Sequence, residues 1–113
     1  MAIYLSEPAR MYGTYGIEVT LLDDADEEAT PVSLTWTLTD RLGNIINNRE
    51  NVPITPAAHT VLVVLAGNDL KSVASGDQRV MTVRGVYSSD IGSNLPTSED
   101  FIFVVEGGPN SEP

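Results

Sequence analysis

The chain contains no cysteine. That excludes a disulfide framework, a thiolate nucleophile and any metal site with Cys ligands, so the fold rests on packing and backbone pairing. Long hydrophobic runs are also missing. Val61 to Ala66 is the longest, far short of the roughly 20 residues that span a bilayer as a helix. Basic residues are scarce, with 6 Lys and Arg against 16 Asp and Glu for a formal charge of −10, and neither Lys nor Arg follows Arg84. A nucleic-acid binder needs a basic stripe to displace counterions, so nucleic acid is not expected as a partner. Excess acid instead favours solubility and repulsion between copies. The first residues, MAIYLSEPARMYG, carry neither a basic leader nor a sustained apolar segment, and synthesis in the cytoplasm is the expectation.

What is present is alternation. At 113 residues with 42% hydrophobic content, the chain suits one domain that buries roughly two thirds of its unfolded surface. In Pro31 to Asn44, PVSLTWTLTDRLGN, alternation puts Val32, Leu34, Trp36 and Leu38 on one face of a strand and Ser33, Thr35, Thr37 and Thr39 on the other. Asp40 to Asn44 then forms a turn, with Gly43 or Asn44 taking the positive φ of a tight hairpin, and the chain returns through Ile45 and Ile46. Further strands are expected at Ala2 to Ser6, Tyr15 to Leu22, His59 to Leu65, Gln78 to Ser88 and Glu99 to Glu106. Pro53 and Pro56 limit Val52 to Ala58 to an edge or loose strand. Ala66 to Ser72 suits one helical turn, and Ser89 to Ser98 a loop. About seven strands with turn signals every 8 to 12 residues or so predict a single all-β antiparallel sandwich over residues 1–106, followed by a flexible tail, 107–113.

Two strands are apolar on both faces: Val61 to Leu65 and Phe101 to Val105. A sandwich sheet normally shows one face to water, so something is expected to cover the second face. The N-terminal arm or a loop would do so within the chain; a neighbouring subunit would make it an interface. Leu62, Val64, Ile102 and Val104 are the interface candidates, subject to the rule that a one-residue slip exchanges inside for outside.

Signals for chemistry are thin. Asp23, Asp24, Asp26, Glu27 and Glu28 form the densest acidic cluster, and Asp24, Asp26 and Glu28 have the one-three-five spacing of a calcium loop. Ala29 stands where such a loop turns on glycine, and Thr35 where it ends on a bidentate Glu. His59 is the sole histidine, with no nucleophile-elbow serine to serve and no second strong ligand for zinc. Asp90, Glu99 and Asp100 flank one loop, but spacing alone designates no acid–base pair. Trp36, Tyr4, Tyr12, Tyr15 and Tyr87 would make a sugar platform only if several were exposed together, whereas alternation assigns Trp36 and Tyr15 to the core. No enzyme activity and no cofactor is expected.

The segments WTLTDRLGNIIN, NREN, HTVLVVLAGNDL, RVMTVRGVYSSDIGSNLP and EDFIFVV, in that order, resemble small immunoglobulin-like proteins encoded among the structural genes of tailed bacteriophages. The likeness runs from about Tyr15 to Glu106 and is most specific over Trp36 to Asn51 and Arg79 to Pro96. It implies an immunoglobulin-like sandwich and a non-enzymatic virion component, a decoration or accessory module docking on a capsid, neck, tail or fibre protein. These are packing and turn signatures and carry no catalytic residue across. Exposed edge strands of such a protein would pair with a neighbour's sheet. The alternative, from a different class, is a host-surface glycan-binding module assisted by calcium at the Asp23 to Glu28 loop.

Overall fold

A computed structural model of the chain describes residues 2–21, 31–55, 57–71, 76–89 and 91–107. The strands are β1 (Ala2–Tyr4), β2 (Ala9–Arg10), β3 (Thr14–Thr20), β4 (Pro31–Asp40), β5 (Val52–Pro53), β6 (Thr60–Ala66), β7 (Asp77–Ser89) and β8 (Gly92–Glu106), with a 3-10 turn at Gly67–Leu70 after β6. They form two sheets. The larger has the order β1-β8-β7-β4-β5, with β2 also on β8, and the smaller pairs β3 with β6. The all-β sandwich expected from the alternation is therefore what the chain adopts. Trp36 of β4 is buried between the two sheets.

One core joins the two sheets. Ile17, Val19, Val63 and Leu65 of the small sheet meet Leu34, Trp36, Leu38, Met81, Val83, Phe101, Phe103 and Val105 of the large one. The Tyr15 and Phe103 rings lie 5.0 Å apart across the interior. Each strand contributes every second residue, because side chains alternate across a pleated strand.

Four expectations are corrected. The large sheet is mixed rather than antiparallel: β1 and β2 run parallel to β8, with Tyr4 opposite Ile102 and Ala9 opposite Val105. The arm is split in two by the segment carrying Pro8, which has no N–H to give a ladder. Val32 is not in the core and is 64% exposed. The ladder to β7 shifts by one residue between Pro31 and Ser33, so Val32 is the extra residue of a bulge and its side chain turns out. Gly85 accommodates that bulge, since a Cβ there would run into the Ser33 carbonyl oxygen. Finally, β8 begins at Gly92, so 92–98 is strand rather than loop, paired with β7 as far as Ser89 and Gly92. Pro96 fits because β1 reaches only to Asp100, leaving an open edge where a missing N–H costs nothing.

The hairpin after β4 forms as expected. Asp40 Oδ1 accepts the N–H groups of Leu42 and Asn44 at 2.8 and 3.0 Å, Gly43 takes a φ of 90°, and Ile46 N–H returns to the Leu38 carbonyl at 2.9 Å. The Asn44 side-chain amide, with the Asn44 and Leu42 N–H groups, holds the Asp40 carboxyl below its ordinary value. Beyond it the chain continues along β4, but Asn47, Asn48 and Asn51 adopt positive φ. Asparagine tolerates that conformation, and the regular ladder is reduced to two residues.

Candidate functional site

The four candidate interface residues lie on opposite faces of the sandwich. Leu62 and Val64 sit on the outer face of the small sheet, 64% and 50% exposed, opposite Glu18 and Gly16 of β3. Ile102 and Val104 sit half-buried on the outer face of the large sheet. There Ile102 stands between Tyr4 on β1 and Val80 on β7. The N-terminal arm thus flanks β8, while no strand covers Leu62 and Val64 among the described residues.

A shallow groove of about 450 Å³ also opens on the outer face of the large sheet, lined by Thr37, Thr39, Thr82, Arg84, Asp100 and Glu50, among others. The threonines belong there because they occupy the outward positions of β4 and β7. Thr82 Oγ1 donates to Asp100 Oδ1 at 2.7 Å, fixing one wall. Two smaller grooves of about 240 Å³ flank the small sheet. One runs beside β3 between Leu5 and Glu18, and the other beside β6 between Ile54 and Leu62.

At one end of the core Asp69 is the hub of a polar clamp. It is 2% exposed and accepts Asn47 Nδ2 at 2.8 Å, Arg49 Nε at 2.7 Å and the Ala66 N–H at 3.1 Å. Arg49 also lies over the Trp36 ring, 5.8 Å from its centroid. Burial pushes the Asp69 carboxyl up, but the hydrogen bonds from Arg49, Asn47 and Ala66 and the Arg49 charge prevail, leaving it below its ordinary value. Through these bonds the carboxylate ties β6 to the 47–49 loop. Tyr15 is shifted the other way: burial, then the Glu7 charge, raises its phenol, and its hydroxyl donates to the Glu7 carbonyl at 2.6 Å.

The remaining candidates are dispersed. Asp24, Asp26 and Glu28 lie outside the described residues, as does Asp90. Glu99 and Asp100, adjacent on β8, point to opposite faces and form no acid pair. His59 is exposed next to β6, and its carbonyl accepts the Leu21 N–H at 2.8 Å. Trp36 and Tyr87 are buried and Tyr12 and Tyr15 half-buried, leaving Tyr4 as the one strongly exposed ring of the five; no sugar platform forms. Among the described residues no group of three or more His, Asp and Glu is placed to hold a metal, and no helix is long and apolar enough to cross a membrane. Sequence reasoning missed the threonine groove, because Thr35, Thr37 and Thr39 alternate like any solvent face. It also missed a signal at β6: from Asn51 to Asn68 the chain has no Asp, Glu, Lys or Arg, its longest charge-free stretch.

Fold and surface together define a β-sandwich whose small sheet has no further strand on either edge among the described residues. No family model matches the chain, and no curated protein or solved structure matches it.

Proposed function

We propose that the protein is a non-enzymatic accessory module of a tailed-phage virion, which docks on a capsid, neck, tail or fibre protein. The observation that carries this reading is the outer face of the β3–β6 sheet, where Leu62 and Val64 are exposed and no strand covers them among the described residues. An exposed apolar outer face is a feature of a surface completed by another protein. The resemblance of Trp36 to Asn51 and Arg79 to Pro96 to phage immunoglobulin-like proteins supplies the setting. A charge of −10 keeps many copies soluble until they reach the assembly.

The experiment is quantitative peptide mass spectrometry on purified particles of the phage, or induced prophage, that encodes the chain. A copy number near that of the major capsid protein assigns it to the head, and a few to some tens of copies to neck, tail or fibre. Complete absence overturns the virion reading.

The second reading, a glycan-binding module of the host surface, draws on the threonine groove. Hydroxyls of Thr37, Thr39 and Thr82 beside Asp100, Glu50 and Arg84 offer donors and acceptors suited to a polyhydroxyl ligand. Calcium would enter through Asp24, Asp26 and Glu28. A thermal-shift titration with calcium separates the two readings, because a ligand that binds the folded state raises the melting temperature.

A further inference from the structure

The phase of the β3–β6 ladder determines what its edges offer. Leu21 N–H donates to the His59 carbonyl at 2.8 Å and Gly67 N–H to the Gly13 carbonyl at 3.0 Å. Both pairs continue the register of the strands between them. Directly opposed residues of an antiparallel ladder alternate between hydrogen-bonded and non-hydrogen-bonded pairs, so Val61, Val63 and Leu65 direct their backbone groups at β3. Those of Thr60, Leu62 and Val64 point the other way, to an edge with no backbone partner among the described residues. Ala66 shares this phase, but its N–H is taken by Asp69 Oδ2, which closes the open ladder at that end.

Natural sheets guard such an edge with charge, proline or a bulge. On β3 the outward Glu18 serves as a guard, and Leu5 to Glu7 line the groove alongside. On β6 there is none: the strand is regular, contains no proline, and lies wholly within the charge-free stretch from Asn51 to Asn68. Beside it runs the groove lined by Ile54, Ala58, Val61 and Leu62.

We propose that β6 pairs antiparallel with β6 of a second copy of this chain, merging two small sheets into one. Three observations select a second copy. The open groups on Thr60, Leu62 and Val64 are self-complementary about a two-fold axis at Leu62, which sets Thr60 against the second copy's Val64 and Leu62 against its own equivalent. The Asp69 cap ends the ladder just beyond those residues, so this register uses the whole open edge. The edge also carries no charge with which to attract a cationic partner, so it complements another uncharged edge, even though the chain as a whole is strongly acidic. A seven-residue strand makes a small interface, and the dimer is weak and concentration-dependent. Because each copy carries −10, salt screens the long-range repulsion and tightens the dimer; a strand supplied by a basic partner would respond in the opposite sense.

The test needs only the purified chain, so its outcome is independent of the particle count that tests the virion reading. Sedimentation equilibrium from low micromolar to millimolar concentration is expected to show the mass rising from 12.1 kDa toward twice that value, at lower concentration when salt is added. Val64→Pro removes an N–H that β3 does not use, at an edge position where proline is tolerated. Leu62→Lys sets two cations face to face. Each is expected to weaken association about tenfold or more while the far-ultraviolet circular dichroism stays that of the parent. Opposed hydrogen-bonded residues have Cα atoms about 5.5 Å apart, within disulfide range. In this cysteine-free chain, Leu62→Cys is therefore expected to oxidise to a covalent dimer well ahead of Glu18→Cys. A mass that stays at 12.1 kDa throughout, undiminished dimerisation of folded Leu62→Lys, or equal oxidation of the two cysteine variants would overturn the proposal.

Discussion

Asp69 holds several segments together. Its carboxylate joins the end of β6 to Asn47 and Arg49, and Arg49 in turn covers Trp36. Asp69→Ala leaves a buried N–H and two side-chain donors without an acceptor. Because the Arg49 side chain is 41% exposed and recovers water, the expected cost is about 2 kcal/mol rather than that of a fully buried pair, measured by urea titration. The sign of the pH effect follows from the direction of the shift. A carboxyl held below its ordinary value contributes stability that is complete above the unfolded value of about 3.9 and is lost as pH falls through the lower folded value. Asp69→Asn is therefore expected to flatten the acid limb of the stability–pH curve below about pH 4, and an unchanged limb would show that Asp69 does not set it. Two glycines make a second, paired test. Gly85→Ala drives a Cβ into the Ser33 backbone, where relief requires moving a strand, and is expected to cost about 2 kcal/mol or more. Gly16→Ala meets Leu62 Cδ1 at 3.4 Å, an ordinary contact, and is expected to change stability by less than about 1 kcal/mol in either direction.

At the level of elements, the central strand β7 is paired on both sides, to β4 and β8, while among the described residues β3 and β6 have only each other. Amide hydrogen exchange is expected to follow that difference. Met81 and Val83 should be among the slowest amides, and along β6 protection should alternate, with Val61, Val63 and Leu65 slow and Leu62 and Val64 fast. Uniform protection along β6 in dilute solution would contradict the open edge. The elements also show how far sequence reasoning reaches. Alternation located the core residues Leu34, Trp36 and Leu38, and Asp40 with Gly43 located the hairpin, because both signals are local. The outward turn of Val32 was not legible, since it depends on Gly85 in a strand some fifty residues away. The strand at 92–98 was hidden because Ser, Asn, Pro and Thr have turn character and become strand only through pairing with β7. The parallel arm was hidden for the same reason, its partner being at the far end of the chain. At the candidate site, double apolarity singled out the strand of Leu62 and Val64, which are exposed, without determining which of its faces turns outward. It did not separate them from Ile102 and Val104, because alternation gives a face of a strand and not which sheet the strand joins.

Across the whole molecule the two sheets differ in how they are held. The β7–β8 hairpin closes between Ser89 and Gly92. In the small sheet even Thr20 and Thr60, the paired strand residues nearest in sequence, are 40 apart. Loop closure costs about 0.6 kcal/mol per doubling of length, so joining β3 to β6 carries roughly 2 kcal/mol more entropic cost than closing the hairpin. In kinetic terms the hairpin and β4 are expected to form early and the β3–β6 ribbon to dock late. Conservative truncations at Met81 or Phe101 should slow refolding, whereas Val63→Ala should mainly speed unfolding, with a φ-value near zero; a high φ-value at Val63 would reverse the order. The ribbon that completes the core is then also the first part to lift away, and each such opening bares the inner faces of Ile17 and Val63 beside an unguarded strand. The lifetime of the closed ribbon, more than the depth of the native energy well, is then expected to set how long a folded copy lasts before it aggregates.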